Sequence, residues 1–150
     1  MSRMNWGRVL LGGLLAGVVL NLLDMVVFGM WLGRDFQAAM AAAGNHTPMN
    51  TMMPWFVVTD FLYGVSLVWL YAAIRPRYGA GVRTAVIAGF AMWLFIGLLH
   101  ALGEAPMGLL PQRLYMLGTL VGLFELPIAT VSGAAVYKEG VEAPVPAGVH

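Results

Sequence analysis

Residues 9–32, VLLGGLLAGVVLNLLDMVVFGMWL, decide the fold of this chain. The stretch is apolar throughout except for Asn21 and Asp24. It is long enough to cross a bilayer as a helix, because about 20 apolar residues rising ~1.5 Å each span the hydrocarbon core. An aspartate inside such a helix costs roughly 2.5–3.5 kcal/mol on insertion scales. Asp24 is therefore expected to face protein or a water-filled cavity rather than lipid.

The composition of the whole chain indicates a membrane protein. Of its 150 residues, 60% are hydrophobic and 10% are charged, whereas a soluble domain carries about 25% charged residues. The net charge of +1 offers no basic patch, which argues against a nucleic-acid partner. The absence of cysteine excludes disulfides, thiol catalysis and thiolate metal sites.

Four apolar segments follow one another along the sequence. They are expected at about residues 9–32, 55–74, 84–103 and 114–137. Because backbone polar groups in lipid must be hydrogen-bonded within the protein, we predict an all-α membrane protein, a four-transmembrane-helix bundle over residues 1–139. The Pro-rich tail, residues 140–150, is predicted to be disordered. In the first long loop, residues 35–43 predict a short helix that stops at Gly44.

Lysine and arginine residues predict the orientation of the bundle. In a four-span topology Arg34 and Arg113 fall on one side of the membrane. The other side receives the remaining six, Arg3, Arg8, Arg75, Arg77, Arg83 and Lys138. By the positive-inside rule both termini are cytoplasmic. The expected location is the bacterial inner membrane, as a multi-pass protein whose surroundings are the lipid bilayer.

Small residues predict where the helices approach one another. Gly13 and Gly17 are four residues apart in the first span, and Gly118 and Gly122 form a GxxxG motif in the fourth. Small residues let helix backbones come close in lipid, so these four glycines are predicted to mediate helix packing. The Gly118–Gly122 pair is equally compatible with a homodimer contact.

Polar side chains within the spans fall at similar depths. Counting ~1.5 Å per residue from each span's midpoint, Asp24, Asp60 and His100 lie in the outer half, with Asn21 and Glu125 near the centre. Residues at one depth on four helices can meet, so we predict a polar cluster inside the bundle. Its predicted members are Asn21, Asp24, Asp60, His100, Glu104 and Glu125.

Three functions are compatible with this pattern. The first is a non-enzymatic membrane protein whose polar cluster stabilises packing through interhelical hydrogen bonds. The second is a small transporter, or a proton or cation conduit, that uses the cluster. The third is copper binding at the periplasmic face by the outer loop, where His46, Met49 and Met52 offer imidazole and thioether ligands suited to Cu(I).

Enzyme chemistry lacks the required motifs. A dimetal site in a four-helix bundle typically uses Glu-x-x-His sequences, and this chain has none. A nucleophile elbow, a P-loop and a dinucleotide fingerprint are likewise missing from the sequence. We therefore expect neither an enzyme nor a bound cofactor.

Several stretches are similar to a known group of proteins. GGLLAGVVLNLLD (12–24), WLYAAIRPRYGAGVRTAVIAG (69–89) and GLFELPIATVSGAAVYKE (122–139) resemble a family of small, uncharacterised four-helix bacterial membrane proteins. The resemblance covers residues 5–139. It includes the spacing of Asn21 and Asp24 and that of Glu125 and Pro127. It implies a four-helix membrane fold and brings no activity with it.

Overall fold

The structure is a computed structural model and describes residues 4–138, a range that is helical and contains no strand. The helices are α1 Trp6–Trp31, α2 Gly33–Ala42, α3 Met49–Tyr78, α4 Val82–Met107 and α5 Gln112–Ala134. Within this range every helix except α2 is long and apolar enough to cross a membrane, with mean hydropathy between 1.7 and 2.2. The prediction of four long apolar helices is thus confirmed. The predicted disordered tail, residues 140–150, lies outside the described residues.

The ends of α2 and α3 can be compared with the sequence prediction. The short outer helix forms as predicted, and Gly44 follows it with a φ of 81°, a left-handed conformation that favours glycine. Helix α3 extends beyond the predicted 55–74 at both ends. Pro54 and Pro76 lie close enough to its ends that each missing amide removes one hydrogen bond where the helix approaches water.

The four long helices pack with α3 and α5 in contact at the centre. Helix α1 contacts both of them on one side, and α4 contacts both on the other. The closest approach joins α1 and α3, where a Cβ built on Gly13 would stand 2.5 Å from the Cα of Val65. A Cβ on Gly17 would stand 2.5 Å from the ring of Phe61. Only glycine permits this backbone separation at the two positions.

The bundle has two chemically different ends. We call the end formed by residues 4–8, 75–83 and 135–138 the basic end, and the end formed by residues 32–48 and 105–113 the loop end. At the basic end the hydroxyl of Tyr71 accepts a hydrogen bond from the Gly81 amide at 3.2 Å, and the rings of Tyr71 and Tyr137 meet edge to face at 5.9 Å. At the loop end Arg113 forms an ion pair with Asp35 at 3.2 Å, which ties α2 to α5.

The main packed core occupies the half of the bundle nearer the basic end, and at the loop end burial among the described residues is confined to Leu32, Gly33 and Ala39 at and within α2. Along the four long helices, the buried residues that lie nearest the loop end are Leu20 in α1, Asp60 in α3, Gly89 in α4 and Leu126 in α5. Beyond them, towards the loop end, α1 and α4 continue as π-helical segments, Met25–Trp31 and Trp93–Leu99, that contain no buried residue. The main contacts of Met25–Trp31 outside its own helix are with α2, rather than with α3 or α5.

Candidate intramembrane carboxyl site

Three acidic side chains from three different helices come within electrostatic range of one another inside the bundle. The carboxyl groups of Asp24 of α1 and Asp60 of α3 lie within hydrogen-bonding reach of each other, and Glu125 of α5 lies within electrostatic range of both. Asp60 is only 8% exposed. These three residues, which we call the carboxyl cluster, mark the limit of the packed core, because the buried residues of their helices lie towards the basic end.

The backbone around Asp24 is shaped by its neighbours. Asp24 is the last residue of the regular α-helical part of α1, immediately before the π-helical segment. One turn earlier, the Asn21 amide donates hydrogen bonds to the carbonyl oxygens of Gly17 at 2.9 Å and Val57 at 3.4 Å. The second bond joins α1 to α3 one turn from Asp60. Asn21 therefore helps to hold Asp24 and Asp60 in register.

In α5, Glu125 lies next to a position where one backbone hydrogen bond of the helix is missing. Pro127 has no amide hydrogen, so the regular bond from residue 127 to the carbonyl of Leu123 does not form. A Cβ built on Gly89 would stand 2.5 Å from the Cα of Pro127, so α4 packs directly on this part of α5. Oε1 of Glu125 is buried and has no hydrogen-bond partner within residues 4–138.

The carboxyl cluster has no basic counter-charge in the described part of the chain. The ion pairs within residues 4–138 are His100–Glu104 and Arg113–Asp35, and neither involves the cluster. An ionised carboxylate accepts hydrogen bonds but cannot donate them. Two ionised carboxylates cannot bond to each other, so a hydrogen bond between Asp24 and Asp60 needs a proton on one of the two groups.

The arrangement is better suited to protons than to a metal ion. Within the described residues, no three His, Asp or Glu side chains are grouped so that they could hold a metal. Two hydrogen-bonded carboxyl groups with a third acid nearby can instead bind a proton and pass it between them.

The structure divides the cluster predicted from sequence into two groups. Asn21 and the three acids of the carboxyl cluster come together, but His100 and Glu104 do not join them. Nε2 of His100 lies 3.3 Å from Oε1 of Glu104, and their side chains are 61% and 39% exposed. The separation arises because α4 and α1 lie on opposite sides of α3 and α5. The inclusion of His100 and Glu104 in one cluster was therefore wrong.

Tyr115 is a polar partner that the sequence reasoning missed. Its hydroxyl lies 3.5 Å from Oε2 of Glu104 and so joins α5 to α4 near the loop end. The available signal was its position three residues before Gly118, on the same face of the fourth helix as Gly122 and Glu125. Trp93 makes a second unpredicted link between these helices, because its indole N–H donates to the carbonyl of Thr119 at 2.8 Å.

The glycine motif of the fourth span is not at a close helix contact. A Cβ built on Gly118 would meet no atom within 4 Å, and one on Gly122 would make only an ordinary contact, 3.5 Å from Trp93. The expected role of Gly118 in packing the bundle together is therefore wrong. The homodimer alternative stays a prediction.

The candidate copper ligands lie at the loop end. His46 is exposed in the loop before α3, and Met49 and Met52 belong to the first turn of that helix. The described residues offer no further test of copper binding, which stays a prediction.

Comparison with known protein families, with characterised proteins and with solved structures finds no match for this chain. The resemblance to small four-helix bacterial membrane proteins therefore stays a prediction. The function has to be argued from the site itself.

Proposed function

We propose that this protein binds protons at the carboxyl cluster and conducts them across the membrane, alone or coupled to a substrate. The observation that carries the proposal is the meeting of three acids from α1, α3 and α5 with no basic partner in the described residues. Ionisable groups at membrane depth that face one another are typical of proton relays.

A purely structural role explains the cluster less well. The Asn21 amide already joins α1 to α3 without any charge. Each additional Asp inside a span adds roughly 2.5–3.5 kcal/mol to the cost of insertion. Interhelical hydrogen bonds in membranes average only about 0.6 kcal/mol, so the acids cost more than their bonds return. A role in proton binding would explain why the chain carries acids that stabilise its packing so little.

Proton flux into liposomes tests the proposal. The full-length protein is reconstituted with a pH-sensitive dye inside the vesicles, and a pH gradient is imposed under a valinomycin clamp. We expect the wild-type protein to accelerate proton entry and Asp60→Asn to return it to the rate of protein-free liposomes. Asparagine keeps the size of the side chain but cannot bind the proton.

The matched control is Asp35→Asn, which neutralises an acid at the loop end that is outside the carboxyl cluster. It should conduct protons like the wild type. If Asp60→Asn folds and conducts like the wild type, or if the wild type conducts no faster than empty liposomes with and without candidate substrates, the cluster serves packing alone.

We also propose that the membrane is the bacterial inner membrane and that the basic end faces the cytoplasm. The support is the distribution of charge: Arg8, Arg75, Arg77, Arg83 and Lys138 lie at the basic end, whereas the loop end carries Arg34 and Arg113.

A further inference from the structure

The two halves of the bundle differ in how tightly they are packed along one face of α5. Tyr115, Gly118, Gly122, Glu125 and Gly133 recur at intervals of three, four or eight residues, so they lie on one side of the helix. At the basic end this side is closed, because a Cβ on Gly133 would stand 2.5 Å from the carbonyl oxygen of Gly12. At Gly118, two turns from Glu125 towards the loop end, there is open space.

Polar groups stand where this open space approaches the loop end. Tyr115 is one turn beyond Gly118 on the same face, and its hydroxyl contacts Glu104, which pairs with His100. At the other end of the open space is Glu125, whose buried Oε1 has no partner within residues 4–138. A polar entrance, the open space at Gly118 and an unpartnered acid thus follow one another along the helix, with the ring of Trp93 beside Gly122.

The opposite wall is open as well. The π-helical part of α1, Met25–Trp31, contacts α2 rather than α3 or α5 and buries none of its residues. The loop-end part of α3, residues 49–59, also contains no buried residue. On the loop-end side of the carboxyl cluster α1 therefore separates from α3 and α5, whereas α4 stays joined to α5 through Trp93 and Tyr115.

We infer that a water-filled crevice on the loop-end side, between α5 and the separating parts of α1 and α3, leads past Gly118 to the carboxyl cluster, while in this conformation the packed half closes the cluster off from the basic end. This inference rests on the proposed function and adds the side from which the protons enter. Gly118 keeps the outer part of this route free of side chains rather than drawing helices together.

The absence of native cysteine allows a direct test. Gly118→Cys fits the open space, Leu120→Cys places a thiol on the opposite, 53% exposed face of α5, and Ala129→Cys places one in the packed half. Each full-length variant is reconstituted in sealed vesicles and treated with a charged, membrane-impermeant thiol reagent from either side. Only a thiolate reacts, so a thiol in lipid or in the packed core stays inert.

We expect Gly118→Cys to react on the order of tenfold faster than Leu120→Cys and Ala129→Cys, since water allows its thiol to ionise, and to do so only from the loop-end side. Reaction of Gly118→Cys as slow as that of Leu120→Cys would mean that lipid fills the space and would overturn the inference. Disulfide-linked dimers of Gly118→Cys under oxidation would assign the space to a second copy and would also overturn it. Labelling from the loop end without proton flux would leave the crevice in place and remove the proposed function, so the two failures are distinguishable.

Discussion

At the scale of the residue, the cost of placing an acid in hydrocarbon made part of the site predictable. Three of the predicted spans each contain one of the acids Asp24, Asp60 and Glu125. Hydrocarbon offers these acids no hydrogen-bond partner. Their orientation towards the interior follows from that cost. The partners of His100 did not follow from the same argument, because depth along a helix says nothing about which helix lies across from it.

Gly64 and Gly118 both lie within membrane-spanning helices but have different surroundings. The free energy of unfolding of their alanine variants measures this difference. Gly64→Ala places a Cβ against the backbone of Gly13 and Gly17, so we expect it to lower the free energy of unfolding by about 1–3 kcal/mol. Gly118→Ala meets nothing and should raise the stability by up to about 1 kcal/mol, because alanine favours helix over glycine. Unfolding of both variants by denaturing detergent in mixed micelles measures the difference. Equal losses would show that Gly118 packs against a helix after all.

At the scale of the element, hydropathy and length predicted each long helix but not its internal irregularities. A regular α-helix would place Gly89, Trp93, Ile96 and His100 on one face. The π-helical segment Trp93–Leu99 has wider turns, so residues beyond it are rotated away from that face. The pattern of apolar residues does not predict a π-helical segment. The position of His100 was therefore not predictable from helical periodicity, just as it was not predictable from depth.

The link between α4 and α5 at Trp93 gives a prediction at this scale. Trp93→Phe keeps an aromatic ring but removes the indole N–H that bonds the Thr119 carbonyl. We expect a loss of about 0.5–1.5 kcal/mol in the free energy of unfolding. Trp55→Phe is the control, because Trp55 is 74% exposed at the start of α3. If both variants unfold alike, the Trp93 bond does not hold α4 against α5.

At the scale of the whole molecule, the arrangement of the four helices determines which side chains meet. The contact of α3 with α5, flanked by α1 and α4, brings the acids of α1, α3 and α5 together and leaves α4 with its own polar pair. Apolar segments of similar length do not specify this order, since each helix could pack beside any other. The positions of lysine and arginine did predict which segments share an end of the bundle. Basic residues from separate segments were expected on one side, and in the described residues they lie at the basic end.

The orientation of the molecule is open to a direct test. A reporter that is active only in the cytoplasm and one that is active only outside it are each fused to the C-terminus. We expect activity from the cytoplasmic reporter, because the basic end carries most of the Lys and Arg residues. Activity of the external reporter instead would reverse the direction assigned to the crevice and place its mouth in the cytoplasm.

A double-mutant cycle between Asp24 and Asp60 tests most directly whether the two carboxyl groups act as one unit. The free energy of unfolding is measured for Asp24→Asn, Asp60→Asn and the double variant in the same micelles. Since the two carboxyl groups lie within hydrogen-bonding reach of each other, their effects should be non-additive, with a coupling energy of about 0.5–3 kcal/mol. Effects that add within about 0.3–0.5 kcal/mol would mean that the acids do not touch, and the proton-binding cluster would then not exist.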